Sequence, residues 1–490
     1  IYVSDPVTGE DIGSGYFSVA EYRKPEFQVG VAAAPEDVLA NKNFTLTLEA
    51  EFFSGGWVSD ADVEWGLFAS TYTFAPGGDL SRYSFSDVDY DDYFAYEESF
   101  VFNEEIATGQ AVTDENGQLE LSFPADLSLT DTSLSFTFEA TTTDFASNAV
   151  SASASVIGHQ SAVYAGVRPQ RYVGSVGEEQ TFELVAANWD EETLPGQLLD
   201  VEIVERRWNS VQVQGSDGTI RWESTVEEIP VAAFEGIATD VQGKTSVSFT
   251  PPNGGIFKAT VTTLDEHGNE ARAAARMWVS GSDYIAWRQS DDRSLELVLD
   301  KDTYTPGEEA EILIASPFPG ENYALITVER GHIRASEVVQ LTSNSTVYKL
   351  PINSDMAPNV YISVTVIRGV GEDSPPDFRM GMAEIQVEAE QQALNVEITP
   401  DKTEAGPGDE VTYTIRTTDY NGEPVSAEIS LALTDLATLT LKPANAEPIL
   451  DYFYSPRSLS VRTAMPLLFS IEDYNIKLEE QLALGEGMGA

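Results

Sequence analysis

The stretch Asn43-Phe44-Thr45-Leu46-Thr47-Leu48-Glu49-Ala50-Glu51-Phe52 alternates apolar and polar residues without a break. In an extended chain, successive side chains point to opposite faces. One face then carries Phe44, Leu46, Leu48, Ala50 and Phe52, and the other Thr45, Thr47, Glu49 and Glu51. A helix would scatter that apolar set around its circumference, so the pattern specifies a strand with one side on a core. The same alternation runs through Leu134, Phe136, Phe138 and Ala140, through Val360, Ile362, Val364 and Val366, and through Val425, Ala427, Ile429, Leu431 and Leu433. Turn residues separate the runs: Asn116-Gly117, Asn253-Gly254-Gly255, Gly268-Asn269 and Asn421-Gly422. Helical periodicity is nearly absent, with Lys477–Leu484 the one fair candidate. Short strands with such punctuation predict an all-β chain of tandem antiparallel β-sandwiches.

Two internal echoes set the domain organisation. Thr113-Asp114, with Gly117 and Phe123 following, returns as Thr239-Asp240 with Gly243 and Phe249 at the same spacing. Asp300-Lys301 through Pro306-Gly307-Glu308 returns as Asp401-Lys402 through Pro407-Gly408-Asp409. Repeats separated by about a hundred residues are whole domains and not solenoid units. The expected division is residues 1–22 as the end of a preceding domain, with Phe17 and Val19 on its last strand, then sandwiches at 23–160, 161–284, 285–391 and 392–490.

The 490 residues carry 81 Asp and Glu against 27 Lys and Arg, a net charge of −54. Such a surface repels phosphate, which excludes nucleic-acid and anionic-membrane binders. No 18-residue apolar run is present in the sequence, so no transmembrane segment is expected. The absence of Cys removes disulfides, thiolate metal sites and Cys nucleophiles. The three histidines, His159, His267 and His332, are far apart, and each reads as an exposed loop residue. No GxSxG, GxxxxGK[ST] or HExxH pattern occurs. The acidic run Asp87, Asp89, Asp91, Asp92, Glu97 and Glu98 lacks the glycine of a calcium loop and reads as a solvated loop or edge. Asn43-Phe44-Thr45 and Asn344-Ser345-Thr346 fit the glycosylation sequon and read as unmodified. No catalytic residue, metal or cofactor is expected. Both ends, Ile1-Tyr2-Val3 and the glycine-rich Leu484–Ala490, look like cuts in a longer protein.

These landmarks carry a family likeness. Val19-Ala20-Glu21-Tyr22-Arg23-Lys24-Pro25-Glu26-Phe27 resembles the strand–linker–strand by which bacterial α2-macroglobulins pass from one macroglobulin-like domain to the next. Tyr304-Thr305-Pro306-Gly307-Glu308, Ser316-Pro317-Phe318 and Ala324 through Arg330 are similar to that family too. So are Pro358-Asn359-Val360-Tyr361, Gly422 through Leu433, and Tyr452-Phe453-Tyr454-Ser455-Pro456-Arg457 followed by Ser460-Val461-Arg462-Thr463. The likeness recurs in order over nearly the whole chain.

The resemblance implies a protease inhibitor of the trapping kind and not an enzyme. In that family a bait segment interrupts one macroglobulin-like domain. A protease cuts it, the molecule collapses around the attacker, and a Cys–Gln thioester in a later domain bonds it covalently. The last domain here matches the bait carrier, so the expected partners are target proteases and the other domains of the same chain. The candidate bait approach is the tail: Lys477 for trypsin-like enzymes, and Leu482, Ala483 and Leu484 for elastase-like ones. Arg457 and Arg462 read instead as packed or paired. With no Cys, a thioester lies beyond Ala490 or is lacking. The implied location is extracytoplasmic, in the periplasm or at the cell surface, with any membrane anchor outside these residues. The alternative from another class is an adhesin-like cell-surface spacer of tandem sandwiches.

The charge makes one prediction by itself. Eighty-one acids repel one another at low ionic strength and are screened when the Debye length falls to about 3 Å near 1 M salt. The melting temperature is expected to rise from low to molar KCl. A melt that is flat or falling with salt contradicts the expectation.

Overall fold

Among the described residues, three β-sandwiches follow one another along the chain, each made of a three-stranded and a five-stranded sheet. The computed structural model describes residues 2–4, 11–14, 26–87, 103–128, 130, 132–214, 220–369, 376–406, 408–432 and 449–463. In the first sandwich the small sheet is β3 (Phe27–Ala34), β5 (Asn43–Phe52) and β8 (Gln118–Pro124). Its large sheet runs β4 (Asp37–Leu39), β10 (Ala149–His159), β9 (Leu134–Thr143), β6 (Asp62–Thr71) and β7 (Asn103–Val112). The second repeats this order with β11 (Tyr164–Pro169), β13 (Gln180–Ala187) and β16 (Lys244–Phe249) against β12 (Val173–Ser175), β18 (Glu270–Ser280), β17 (Gly255–Leu264), β14 (Leu198–Gln214) and β15 (Ile220–Ala238). The third repeats it again. There β19 (Glu296–Leu299), β21 (Glu309–Ala315) and β24 (Ser345–Pro351) face β20 (Thr303–Tyr304), β26 (Asp377–Val387), β25 (Asn359–Arg368), β22 (Asn322–Arg330) and β23 (His332–Leu341).

The sheets are antiparallel apart from one short parallel pair in each sandwich: β4 with β10, β12 with β18 and β20 with β26. Near the start, β1 (Tyr2–Ser4) pairs with β2 (Asp11–Ser14). Residues 15–22, with Phe17 and Val19, lie outside the described residues.

The alternating runs are the inner faces. Phe44, Leu46, Leu48 and Ala50 of β5 meet Phe136, Phe138 and Ala140 of β9 in the first core. Val360, Ile362, Val364 and Val366 meet Ile312, Ile314 and Tyr304 in the third. Each fully buried large side chain contributes about 1.5–3 kcal/mol over its exposed state.

The sequence echoes have physical causes. Asp114 Oδ1 accepts the N–H groups of Asn116 and Gln118, and Asp240 Oδ1 those of Gln242 and Lys244. Asp144, Asp265 and Asp419 do the same at other hairpins. The fourth residue of these turns needs positive φ, and Gly117 (68°) and Gly243 (71°) supply it without a Cβ penalty. The preceding Thr113 and Thr239 are buried. Thr113 donates to Val58 O and accepts from Ala61 N–H, and Thr239 donates to Leu194 O and accepts from Gln197 N–H. In the second echo, Asp300 and Asp401 take the N–H groups of Glu311 and Thr412, 2.8 and 2.9 Å away.

After the third sandwich, β27 (Asn395–Pro400) and β28 (Tyr413–Thr418) form a two-stranded ribbon, and a one-turn helix α1 spans Ile449–Phe453. The strand expected from Val425 onward is not there among the described residues: 425–432 join no sheet, Val425 bonds Thr417 through its N–H and carbonyl, and Val425, Ile429 and Leu431 are exposed. Leu433 lies outside the described residues. Alternation marks a face that suits a core, but a strand forms only where a neighbour pairs with its backbone.

The buried faces predict where substitution is felt. Phe257→Ala, at a side chain with no exposed surface, is expected to destabilise the second sandwich by about 3–5 kcal/mol. Val241→Ala, in a turn where the side chain is 80% exposed, is expected to stay within about 0.5 kcal/mol. Urea unfolding of both variants checks the assignment.

Candidate functional site

The expected bait-approach residues Lys477, Leu482, Ala483 and Leu484, and the helix expected at Lys477–Leu484, lie outside the described residues. What is described is the stretch just before them. Residues 449–463 come long after the third sandwich in sequence, yet they return to its large sheet. Tyr454 packs against the third core. The Arg457 N–H donates to Asn359 Oδ1 at 2.9 Å, and Asn359 Nδ2 donates to the Arg457 carbonyl at 2.9 Å. Tyr361 Oη donates to that carbonyl as well, at 3.1 Å, and Gly331 N–H donates to the Leu459 carbonyl at 2.8 Å.

Asn359 opens β25 with its side chain fully buried. Its Nδ2 also donates to Glu384 Oε1 on the neighbouring β26, which accepts from Gln386 too. Those bonds fix which way the carboxamide faces. Arg330 at the end of β22 braces the adjoining turn by donating to the carbonyls of Asp355, Met356, Ala357 and Asn359. Partial burial, with Arg334 and Arg457 nearby, holds its guanidinium below the ordinary arginine value. The Arg457 and Arg462 side chains are exposed. The expectation that both pack or pair is therefore corrected for Arg457: what is captured is its backbone, and its exposed guanidinium donates to the Phe453 carbonyl.

Two other expectations change. His159 is not an exposed loop residue; it is 1% exposed at the end of β10. One ring nitrogen bonds Asp37 Oδ1 at 2.8 Å, the other bonds Tyr164 Oη at 2.7 Å, and Trp189 stacks on the ring. Tyr164 begins the second sandwich and also bonds Ser133. The chain Asp37–His159–Tyr164–Ser133 thus ties the first sandwich to the second, beside an apolar cluster of Phe74, Leu80, Phe85, Val185 and Ala187. His267 and His332 are exposed, as expected.

In the acidic run only Asp87 is described, and it is not a solvated loop residue. It pairs with Lys258 at 2.8 Å and Arg272 at 2.7 Å, both on the second sandwich. Asp89, Asp91, Asp92, Glu97 and Glu98 lie outside the described residues. Sequence reading also missed that Trp208 and Trp287 meet at the second junction with Val173, Ile256, Ile285, Leu313 and Ala315. There the sequon residue Asn344 is buried, donating to Ile285 O and accepting from Ile285 N–H.

Comparison with known proteins bears on the same region. The α2-macroglobulin bait region domain matches residues 295–441, which is the third sandwich and the ribbon after it. An α2-macroglobulin homolog of Nostoc is 21% identical over 458 residues, and that of Ralstonia nicotianae is 24% identical over 461. The chain is similar to bacterial α2-macroglobulins over most of its length. Each alignment covers 92% of this chain but 23% and 25% of the relative, so the chain spans about a quarter of their length. The solved native α2-macroglobulin of Escherichia coli is 18% identical, with a TM-score of 0.40 over 83% of this chain and 26% of that one. No helix among the described residues is long and apolar enough to cross a membrane.

The His159 tie carries a pH dependence. Burial lowers its pKa below 6.5, and the hydrogen bond and charge of Asp37 and the charge of Asp190 oppose this incompletely. The folded state therefore favours the neutral ring. Its contribution is full above the unfolded pKa near 6.5 and is lost as pH falls through the lower folded value. Thermal stability of the first two sandwiches is expected to drop as pH falls from about 6.5, and His159→Gln should flatten that slope. Melts from pH 8 to 5 with both proteins check it.

Proposed function

We propose that these residues form the scaffold that presents the bait of a bacterial α2-macroglobulin-type, broad-spectrum endopeptidase inhibitor. One observation carries the reading: the bait region domain match ends at 441, and soon after it comes a segment, 449–463, whose backbone is fixed to the third sandwich. A trap needs one part that stays put while another is cut, and tandem sandwiches with buried junctions suit the first role.

In this reading the divisions 1–22, 23–160, 161–284, 285–391 and 392–490 are five successive macroglobulin-like pieces, and the last bears the start of the bait. Lys477, Leu482, Ala483 and Leu484 offer both trypsin-like and elastase-like enzymes a cut. The sequence supports this: alternation stops after Phe469, and Gly485, Gly487 and Gly489 contribute no side chain to a core. In this reading the full-length protein meets proteases as substrate and trap, and these residues supply scaffold and bait approach with no catalytic residue of their own. Its place is extracytoplasmic, where foreign proteases are met.

The test is brief digestion with trypsin or elastase, read by mass spectrometry. The first cuts are expected within 471–490, and the 490-residue chain alone should not inhibit either enzyme stoichiometrically. First cuts within 23–460, with the tail intact, overturn the reading.

A further inference from the structure

We propose that Asn359 is a specificity-determining residue for bait cleavage: its carboxamide occupies the backbone of Arg457 and removes the Arg457–Ser458 bond from the set a protease can cut. The inference rests on the bait reading only for its biological use; the protection itself follows from the geometry.

By sequence, Ser455-Pro456-Arg457-Ser458-Leu459 is a sound target for a trypsin-like enzyme. It carries an arginine with an exposed side chain, and a serine, not a proline, follows. Cleavage places demands on the backbone, however. A protease takes its substrate as an extended strand, through main-chain hydrogen bonds. The scissile carbonyl must enter a pocket of donors that stabilise the developing oxyanion. At Arg457 that carbonyl already accepts from Asn359 Nδ2 at 2.9 Å and from Tyr361 Oη at 3.1 Å. The N–H of the same residue is held by Asn359 Oδ1. Two residues on, the Leu459 carbonyl is held by Gly331 N–H. On the preceding side, Tyr454 is packed on the third core. A protease must strip this stretch off the sheet before it can act.

Arg462 differs. It lies past the last of these bonds and its side chain is exposed. Two arginines five residues apart thus receive opposite assignments, and Asn359 draws the line between them. Glu384 makes the clamp directional by fixing the carboxamide with its NH2 group toward the Arg457 carbonyl.

Each hydrogen bond contributes roughly 1 kcal/mol net, so losing two or three corresponds to about a 30–150-fold change in exposure of this bond. The experiment compares initial tryptic cutting after Arg457 with that after Arg462. It is done on the whole chain, on its Asn359→Ala variant, and on a synthetic peptide of residues 449–469. The ratio Arg457:Arg462 is expected to be at least about 10-fold lower in the whole chain than in the peptide, and to approach the peptide's value in Asn359→Ala. Cutting after Arg379, which is 8% exposed in the third sandwich, reports general unfolding of the variant. Should that occur, Tyr361→Phe removes one bond alone and should give a partial rise. Hydrogen exchange of the Arg457 amide in the unsubstituted chain, slow against the peptide's, gives the same answer without any substitution.

An equal ratio in whole chain and peptide, or a fast-exchanging Arg457 amide, overturns the clamp. First cuts within 23–432 would sink the bait reading and leave the clamp standing, so the two fail separately.

Discussion

Between the second and third sandwiches the backbone of Ile285 belongs to no sheet, and Asn344 supplies the missing strand. The carboxamide donates to the Ile285 carbonyl and accepts its N–H, while the neighbouring Trp287 indole donates to the Asn344 carbonyl at 2.7 Å. A buried main-chain group without a partner costs a kilocalorie or more. The Asn344 side chain satisfies the Ile285 N–H and shares the Ile285 carbonyl with the Trp287 N–H, so both polar groups of Ile285 are paired in the buried junction. Once they are, Trp208, Trp287 and Ile256 can pack across the joint, and the third sandwich has a defined position against the second. Ser345 extends the arrangement, donating to the Gly281 carbonyl and accepting from its N–H.

The same physics recurs on the outgoing side. Asn359 treats Arg457 as Asn344 treats Ile285, with one carboxamide spanning the N–H and C=O of a single residue. A carboxamide has a peptide's donor and acceptor in one plane, so it can stand in for a strand where no strand fits. The third sandwich therefore grips the chain arriving from the second and the chain that leaves toward the tail. The first grip is buried and the second part-buried, and the Glu384 carboxylate orients the second.

Charge does something else. In a molecule with 81 acids and 27 bases, several cations are placed at joints. Lys258 and Arg272 meet Asp87 across the first junction, and Arg171 meets Asp300 and Glu311 across the second. Exposed pairs contribute little, but here they sit beside apolar contacts and select which acid faces which sandwich. The remaining acids leave the chain with a large excess of negative charge, which opposes self-association.

Much of the architecture was legible from local pattern. Period-two alternation picks out β5, β9 and β25 because a strand must sort its side chains between core and solvent. The Thr-Asp…Gly echo marks equivalent hairpins because an Asp side chain and a residue at positive φ are needed at each. The same reasoning failed at Val425–Leu431, where alternation is present but no strand among the described residues pairs with it. It could not foresee His159, Asn344 or Asn359, because their partners lie far away in sequence: Asp37 is 122 residues from His159, Ile285 is 59 from Asn344, and Arg457 is 98 from Asn359. The sequence by itself determined that these residues make strands, where many of the turns fall, and which surface repels anions, since each depends on neighbours a few positions apart. Only the tertiary structure decided which polar side chains become joints, because a buried amide or imidazole is set by what the fold brings opposite it.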